Sequence, residues 1–440
     1  MAVQTPNPQG AAAASGAHPA VSAKGLPPQV EEGHKVLRDI TAQLPKTVMG
    51  LERQMMVGDI MTRLDENVRE KMRTMLNFFL ERMFTNNASD IDMGGYGSQG
   101  HVWYRIFGSK KPDESLGKYT PDEMNVLVQS ALGDRQRSYL YENRNLDFSH
   151  MLFLPDGEFR RFRADAYFDL DQLALNMRAI NNTVRPFKNL DLHANVARVL
   201  SLAHTKEGLC LVTGITGSGK SSTLDSIIDA NNHSVDAHIV IVASPIEYVH
   251  KSDRCIIRHR EVGRDVLSFK DGAVQALRQD PDIIMIGELR DPETILTALE
   301  ITDSGHKVFS TLHTASAVES IDRIIGETPP IEQERVRNRL ADVIRSVMSQ
   351  KLVPSLDGKR VLAKEIMLGT PSVRAAIKNN NTSEIYQMIS EGSEQGMITL
   401  EMDLRRLYLQ KKISLETAVN YANNKRRMQQ LLQMQGTPEE

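Results

Sequence analysis

Apolar positions follow three different rhythms along the chain. Up to residue 33, large apolar side chains are few, and Ala, Pro, Gly and Ser dominate. Such a stretch buries too little surface to offset its ordering entropy, so residues 1–33 are expected to be a disordered tail. From there the spacing becomes helical. Leu64, Val68, Met72, Met75, Leu76, Phe79, Leu80 and Met83 recur at steps of three and four, with Arg, Glu and Lys between them. This predicts a helical extension over 34–87 whose Met-rich face packs on its own domain or docks on a partner.

Residues 88–184 read as a mixed α/β domain. Strands are predicted over 102–107, 160–167 and 174–180, and a helix over 121–132 that begins at Thr120. A polar, Pro-containing stretch over 181–192 predicts the connection, with the linker itself at 185–191. From 192 to 355, continuous apolar runs alternate with helical patterns, which is the signature of a parallel sheet covered by helices. The runs at 209–213, 239–242, 283–286 and 308–312 predict buried strands, and 291–302 a helix. After Glu332 the chain is predicted to be mainly helical, with Val336, Leu340, Val343, Ile344 and Val347 as one stripe. Further helices are expected at 397–408 and 414–422 within a C-terminal helical region, 356–424, followed by a frayed tail over 425–440.

The strand at 209–213 breaks into Gly214-Ile215-Thr216-Gly217-Ser218-Gly219-Lys220-Ser221, and Ser222 lies in the helical pattern that follows. A strand, a G-x-x-x-x-G-K-S loop and a helix are the context a phosphate-binding loop requires. Gly214, Gly217 and Gly219 let backbone N–H groups turn inward. Thr216, Ser218 and Ser222 line the same loop and helix start, and the helix N-terminus adds partial positive charge. Lys220 is placed to reach the β- and γ-phosphates of ATP, and the Ser221 hydroxyl to ligate Mg²⁺.

Downstream, the apolar strand of Asp282-Ile283-Ile284-Met285-Ile286-Gly287-Glu288 ends in a carboxylate, suited to activating a water. His306 and His313 then bracket another apolar strand. Their spacing across a strand is poor for zinc, and His313 at the C-terminal end is the one able to meet phosphate or Glu288.

Composition narrows the rest. A length of 440 residues favours two domains plus extensions. A formal net charge of −3 gives no reason to expect nucleic acid. Cys210 and Cys255, the only cysteines, lack zinc spacing and fit a reducing cytoplasm. No run of about 18 apolar residues is long enough to span a membrane, and no signal-peptide pattern is expected at the N-terminus.

These motifs, in this order, resemble the secretion ATPases of type II secretion, type IV pili and type IV secretion, and within them the PilT-like twitching-motility retraction ATPases. The resembling segments are 211–222, Ser244-Pro245-Ile246-Glu247-Tyr248-Val249-His250, 279–294, 305–325 and 365–371. The resemblance implies an α/β chain with a PAS-like N-terminal domain, a RecA-like P-loop ATPase domain and a helical C-terminal region. It implies an Mg-ATP-driven homo-hexamer that powers pilus retraction or a related machine. Such a motor would sit in the cytoplasm at the inner membrane, beside a membrane platform protein, with a paralogous ATPase as a further candidate partner. It also assigns catalytic roles to Glu288, His313 and Glu247, and to Arg163 and Arg178 of the N-terminal domain.

The chain departs from the family pattern at several points that bear on hydrolysis rate. Ala243-Ser244 replace the usual Glu-Asp, Asp171 replaces an arginine, Ile91-Asp92 replace Leu-His, and 372–377 read Ser-Val-Arg-Ala-Ala-Ile. Two further readings are open at this point: a weakly hydrolysing, ATP-binding regulatory subunit, and a small-molecule P-loop kinase. The kinase reading leaves the histidines unexplained.

Overall fold

The computed structural model describes residues 26–154, 157, 159–180 and 183–433. It consists of two compact units, Met1–Ala179 and Ile180–Glu440. Most of the expected N-terminal tail lies outside the described residues. Within them, helix α1 (Pro28–Thr41) begins ahead of the expected boundary at residue 33, because Val30, Gly33, Leu37 and Ile40 form a buried stripe.

The single long helical pattern of the extension resolves into three helices: α1, α2 (Gly50–Arg63) and α3 (Glu66–Thr85). The first break lies between Thr41 and Gly50, and the second falls at Leu64-Asp65, where the Asp65 carboxylate accepts from the Asn67 N–H at 2.8 Å and caps α3. The Met-rich face of α3 is buried: Met72, Met75, Leu76, Phe79, Leu80 and Met83 are all at or below 1% exposure. Gly33 of α1 permits the close approach, since a Cβ there would fall 2.3 Å from Met75 Sδ.

The first unit continues through β1 (Ala88–Gly94), β2 (Trp103–Ile106), β3 (Ser109–Pro112), α4 (Pro121–Ser130), α5 (Asp134–Asn143), β4 (Asn145–Phe153), β5 (Phe159–Asp169) and β6 (Gln172–Ala179). Helix α4 starts as the sequence indicates. Thr120 and Glu123 close a reciprocal capping box, with Glu123 N–H donating to Thr120 Oγ1 at 3.2 Å and Thr120 N–H to Glu123 Oε2 at 2.7 Å. The six strands form one antiparallel sheet in the order β3-β2-β1-β6-β5-β4. The β5–β6 hairpin turns at Leu170-Asp171, both left-handed, with φ of 48° and 62°. Asp tolerates that conformation better than most residues. The Asp171 backbone carbonyl accepts from Gln54 of α2 at 3.2 Å, which ties the helical extension to the sheet at this turn.

The second unit opens with α6 (Ala194–Leu200), β7 (Gly208–Thr213), α7 (Lys220–Asn232), β8 (Ala237–Ala243), β9 (Cys255–Glu261) and α8 (Phe269–Ala276). Then come β10 (Ile283–Ile286), α9 (Pro292–Asp303), β11 (Lys307–Leu312), α10 (Ala317–Gly326), α11 (Gln333–Val343), β12 (Ile344–Pro354) and β13 (Arg360–Leu368). Its seven strands run β13-β12-β7-β11-β10-β8-β9, all parallel except for antiparallel β13. Every residue of β7, β10 and β11 is buried. This is why their sequences read as unbroken apolar runs and not as alternations. Lys307 is the exception in chemistry: fully buried, it donates to the Val199 and Thr205 carbonyls at 2.7 and 2.9 Å. Burial pulls its pKa below 10.5.

The chain ends in α12 (Pro371–Lys378), α13 (Ile385–Glu391), α14 (Leu400–Leu409), α15 (Leu415–Tyr421) and α16 (Lys425–Gln433). Two expectations fail here. The stripe through Val336, Leu340, Val343, Ile344 and Val347 is not one helix: α11 stops at Val343, and β12 pairs with both β7 and β13. The expected frayed tail begins instead as helix α16, because Met428 is buried against a satellite core built from α14, α15 and the β12–β13 hairpin. Residues 434–440 lie outside the described part.

His150 on β4 gives the first unit a pH dependence. Its Nε2 is buried without a hydrogen-bond partner among the described residues. Burial, aided by Arg73, pushes its pKa from 6.5 down to about 4. The unfolded chain therefore binds more protons between those values, so stability is full above about pH 6.5 and falls as pH drops towards about 4. Denaturant midpoints measured across that window should show the fall in the parent protein and a flatter profile in His150→Leu. Parallel profiles would contradict it.

Candidate nucleotide site

The parallel register lines up the C-terminal ends of three adjacent strands. Leu312 at the end of β11 sits opposite Thr213 at the end of β7, and Ser310 opposite Ile286 at the end of β10. The phosphate-binding loop leaves β7, Gly287-Glu288 leave β10 and His313 leaves β11, so the three motifs meet at one sheet edge.

The loop is shaped by glycine and backed by β12. Gly214, Gly217 and Gly219 have φ of 145°, 80° and 89°, where side chains other than glycine are strained. A Cβ on Gly214 would lie 2.4 Å from the Gln350 carbonyl and 2.5 Å from Ser218 Oγ. Gln350 Nε2 donates to the Ser218 carbonyl at 2.8 Å, and the Ser349 and Thr213 hydroxyls are 2.7 Å apart. The Ser218 hydroxyl is buried with no hydrogen-bond partner among the described residues. Helix α7 starts at Lys220, so its first N–H groups and its dipole point into the loop. Ile215, Thr216, Gly217 and Ser222 are exposed, while Ser221 is half-buried in the first turn.

A chain of polar contacts joins the three motifs. Lys220 Nζ donates to the Gly214 carbonyl at 2.8 Å and lies 3.5 Å from His313 Nδ1. His313 Nε2 lies 3.1 Å from Glu288 Oε1, and Arg290 Nε lies 2.7 Å from Glu288 Oε2. An ammonium on Nδ1 and a carboxylate on Nε2 together assign the Nε2–H tautomer of His313. Burial, then the charge of Lys220, holds the His313 pKa below 6.5, with Glu288 opposing. Burial also lowers the Lys220 ammonium from 10.5, while Glu288 and Glu247 pull it back up. Glu247 therefore stands close enough to Lys220 for its charge to be felt there, on the irregular segment after β8.

Arg163 of β5 and Arg178 of β6 belong to the first unit, where they face each other across the strand pair. Arg178 Nε donates to Asp90 Oδ1 at 2.8 Å, and Arg163 lies 3.7 Å from Asp147. Among the described residues no group of three His, Cys, Asp or Glu is arranged to hold a metal ion. Sequence reasoning missed Arg290 and Gln350. Arg290 stands two residues after Glu288 within a quoted motif and could have been flagged as its partner. Gln350 had no such signal, because β12 was read as helix.

A profile described as type II/IV secretion system protein matches residues 67–437. The chain belongs to the type II/IV secretion ATPase family. Within that family it is PilT-like. It is 40% identical over 296 residues to the type IV pilus retraction ATPase PilT of Pseudomonas aeruginosa, covering 67% of this chain and 84% of that protein. It is 32% identical over 306 residues to the type IV pilus ATPase PilU of the same organism, covering 69% of this chain and 78% of PilU. Among solved structures, the pilus retraction motor PilT with bound ADP superposes with a TM-score of 0.72 at 35% identity, over 80% of this chain and 98% of that one. The Legionella pneumophila ATPase DotB gives 0.69 at 26% identity, over 81% and 95%.

For this PilT-like chain, Gly214→Ala should weaken binding of a fluorescent ATP analogue by about tenfold or more, since it adds strain and a clash to the loop. Binding at parental affinity would contradict the loop geometry.

Proposed function

We propose that the chain is an Mg-ATP-driven, hexameric motor ATPase that powers retraction of a type IV pilus or a related secretion machine. One observation carries this reading: the Lys220–His313–Glu288 chain at the shared edge of β7, β11 and β10. The bound ADP named for the PilT structure supports the nucleotide assignment.

In this reading the loop amides and Lys220 hold the phosphates, with the ammonium exchanging the Gly214 carbonyl for phosphate oxygens. Glu288 orients the attacking water and accepts its proton, while His313 and Arg290 fix the carboxylate's rotamer. The Ser218 hydroxyl, buried without a partner among the described residues, leaves an oxygen unspent in the loop, and the Ser221 hydroxyl in the first turn of α7 would be the protein ligand of Mg²⁺. When bound, Mg²⁺ would neutralise phosphate charge. Glu247 adds the one carboxylate of its box. Arg163 and Arg178 serve as arginines directed to a neighbouring subunit's nucleotide. The first unit is taken as PAS-like and the second as RecA-like. The linker at 185–191 keeps its expected role, while the region 356–424 opens with strand β13 of the sheet and becomes helical only from α12 onward. The working location is the cytoplasmic face of the inner membrane, beside a platform protein and a paralogous ATPase. No helix among the described residues is long and apolar enough to cross a membrane.

Lys220→Ala should abolish detectable binding of Mg-ATP, read by fluorescence titration, because the cation facing the phosphates is gone. Unchanged affinity would sink the assignment. Light scattering with Mg-ATP at micromolar protein should give a hexamer, and a monomer only would sink the ring.

A second reading, a weakly hydrolysing regulatory subunit, is favoured by Ala243-Ser244, which supply neither of the family's two acids. Glu and Asp placed together at 243 and 244 should raise turnover by about 10²-fold if those acids limit the rate. A double variant no faster than the parent, with unchanged folding, would remove that limit from the account.

A further inference from the structure

Asp225 lies on α7, five residues after Lys220, and nothing in the chemistry above uses it. Its Oδ1 lies 3.2 Å from Nε2 of His250, whose side chain is completely buried. His250 is the third residue after Glu247. The Tyr248 ring stands edge-on to His250 at 4.7 Å, and the His259 ring of β9 stacks on it at 6.0 Å with an interplanar angle of 11°. The His250 backbone N–H donates to His259 Nε2 at 3.0 Å. On the other side of Glu247, the Ile246 N–H donates to Glu261 Oε2 at 3.2 Å.

The segment after β8 has no regular secondary structure of its own, so side chains must fix it. It is pinned on both sides of Glu247, and one pin reaches the helix that begins at the phosphate-binding loop. Burial raises the Asp225 carboxyl above its ordinary value, and the hydrogen bond with His250 draws it only part of the way back. Placing a carboxylate in so buried a position costs free energy, and His250 offsets that cost only where it now stands.

We propose that Asp225 and His250 form a strut that positions Glu247 against Lys220 and the phosphate-binding loop. They are positioning residues, acting through Glu247, and the proposal rests on the ATPase reading above. The strut matters in this chain because Ala243-Ser244 leave Glu247 as the only acid of its box, so the placement of one carboxylate carries the box's whole charge. A displacement of about 1 Å at such a group can cost on the order of 10²-fold in rate without touching the groups that bind substrate.

The test compares steady-state turnover and the affinity for a fluorescent ATP analogue in full-length wild type, Asp225→Asn, His250→Leu and His250→Gln. Asp225→Asn and His250→Leu are repeated in a Glu247→Gln background. Asp225→Asn and His250→Leu should lose about tenfold or more in turnover, with affinity held within about threefold. His250→Gln, whose amide reaches the position of Nε2, should recover most of the loss. In the Glu247→Gln background the same substitutions should add less than about threefold, because the group they position is already neutralised.

Turnover and affinity falling together, or losses that multiply with Glu247→Gln, would show a merely structural contact and overturn the strut. So would a Glu247→Gln protein with parental turnover. Should His250→Leu fail to fold, Asp225→Asn and His250→Gln carry the same comparisons. A wild type without any turnover overturns the ATPase reading and the strut with it, whereas an active wild type with an equally active Asp225→Asn overturns the strut alone.

Discussion

The parallel pairing of β7, β11 and β10 is the constraint on which the rest of the site depends. Three strands buried on every residue cannot slide against one another without exposing apolar side chains, each worth about 1.5–3 kcal/mol when fully buried. Their register therefore fixes where each strand ends. The residues next in sequence are the glycine loop, Glu288 and His313. Chemistry that is spread over 100 residues in sequence is gathered at one edge by a core that takes no part in it.

Electrostatics then refines what the sheet brings together. Lys220 is turned into the loop by the Gly214 carbonyl, and His313 stands between that ammonium and the Glu288 carboxylate. A neutral imidazole satisfies both neighbours, which is the protonation state its lowered pKa favours. The loop rests on β12 through Gln350, so the strand that flanks β7 also sets the shape of the phosphate cradle. Glu247 is the outlier, since it lies on irregular backbone and takes its position from side-chain contacts.

Much of this was legible in the sequence, and the failures have physical causes. The buried parallel strands announced themselves as apolar runs, the cap at Thr120 stands where the pattern put it, and the helices expected from 291 and 414 start one residue later, capped by Asp291 and Ser414. Ile344 and Val347 misled because an apolar pair three apart fits a helix, while the strand β12 they belong to is buried on both faces and shows no alternation. Met428 was hidden in a polar stretch and declared itself only through the satellite core it fills. Within the site, Lys220, Ser221 and Glu288 were readable from motif spacing. Arg290 stood two residues from Glu288 inside the same motif and was readable there, whereas Gln350 and the Asp225–His250 pair depend on contacts between separate elements, which no local pattern encodes.

The central claim is that Glu288, delivered by β10 to the mouth of the phosphate-binding loop, accepts the proton of the attacking water. Single-turnover hydrolysis of ATP by Glu288→Gln tests it most directly, since the substitution keeps the shape and the hydrogen-bonding capacity of the side chain and removes its basicity. The account predicts parental affinity for ATP and a hydrolysis rate lower by about 10²- to 10⁴-fold. Equal rates in Glu288→Gln and the parent would contradict it.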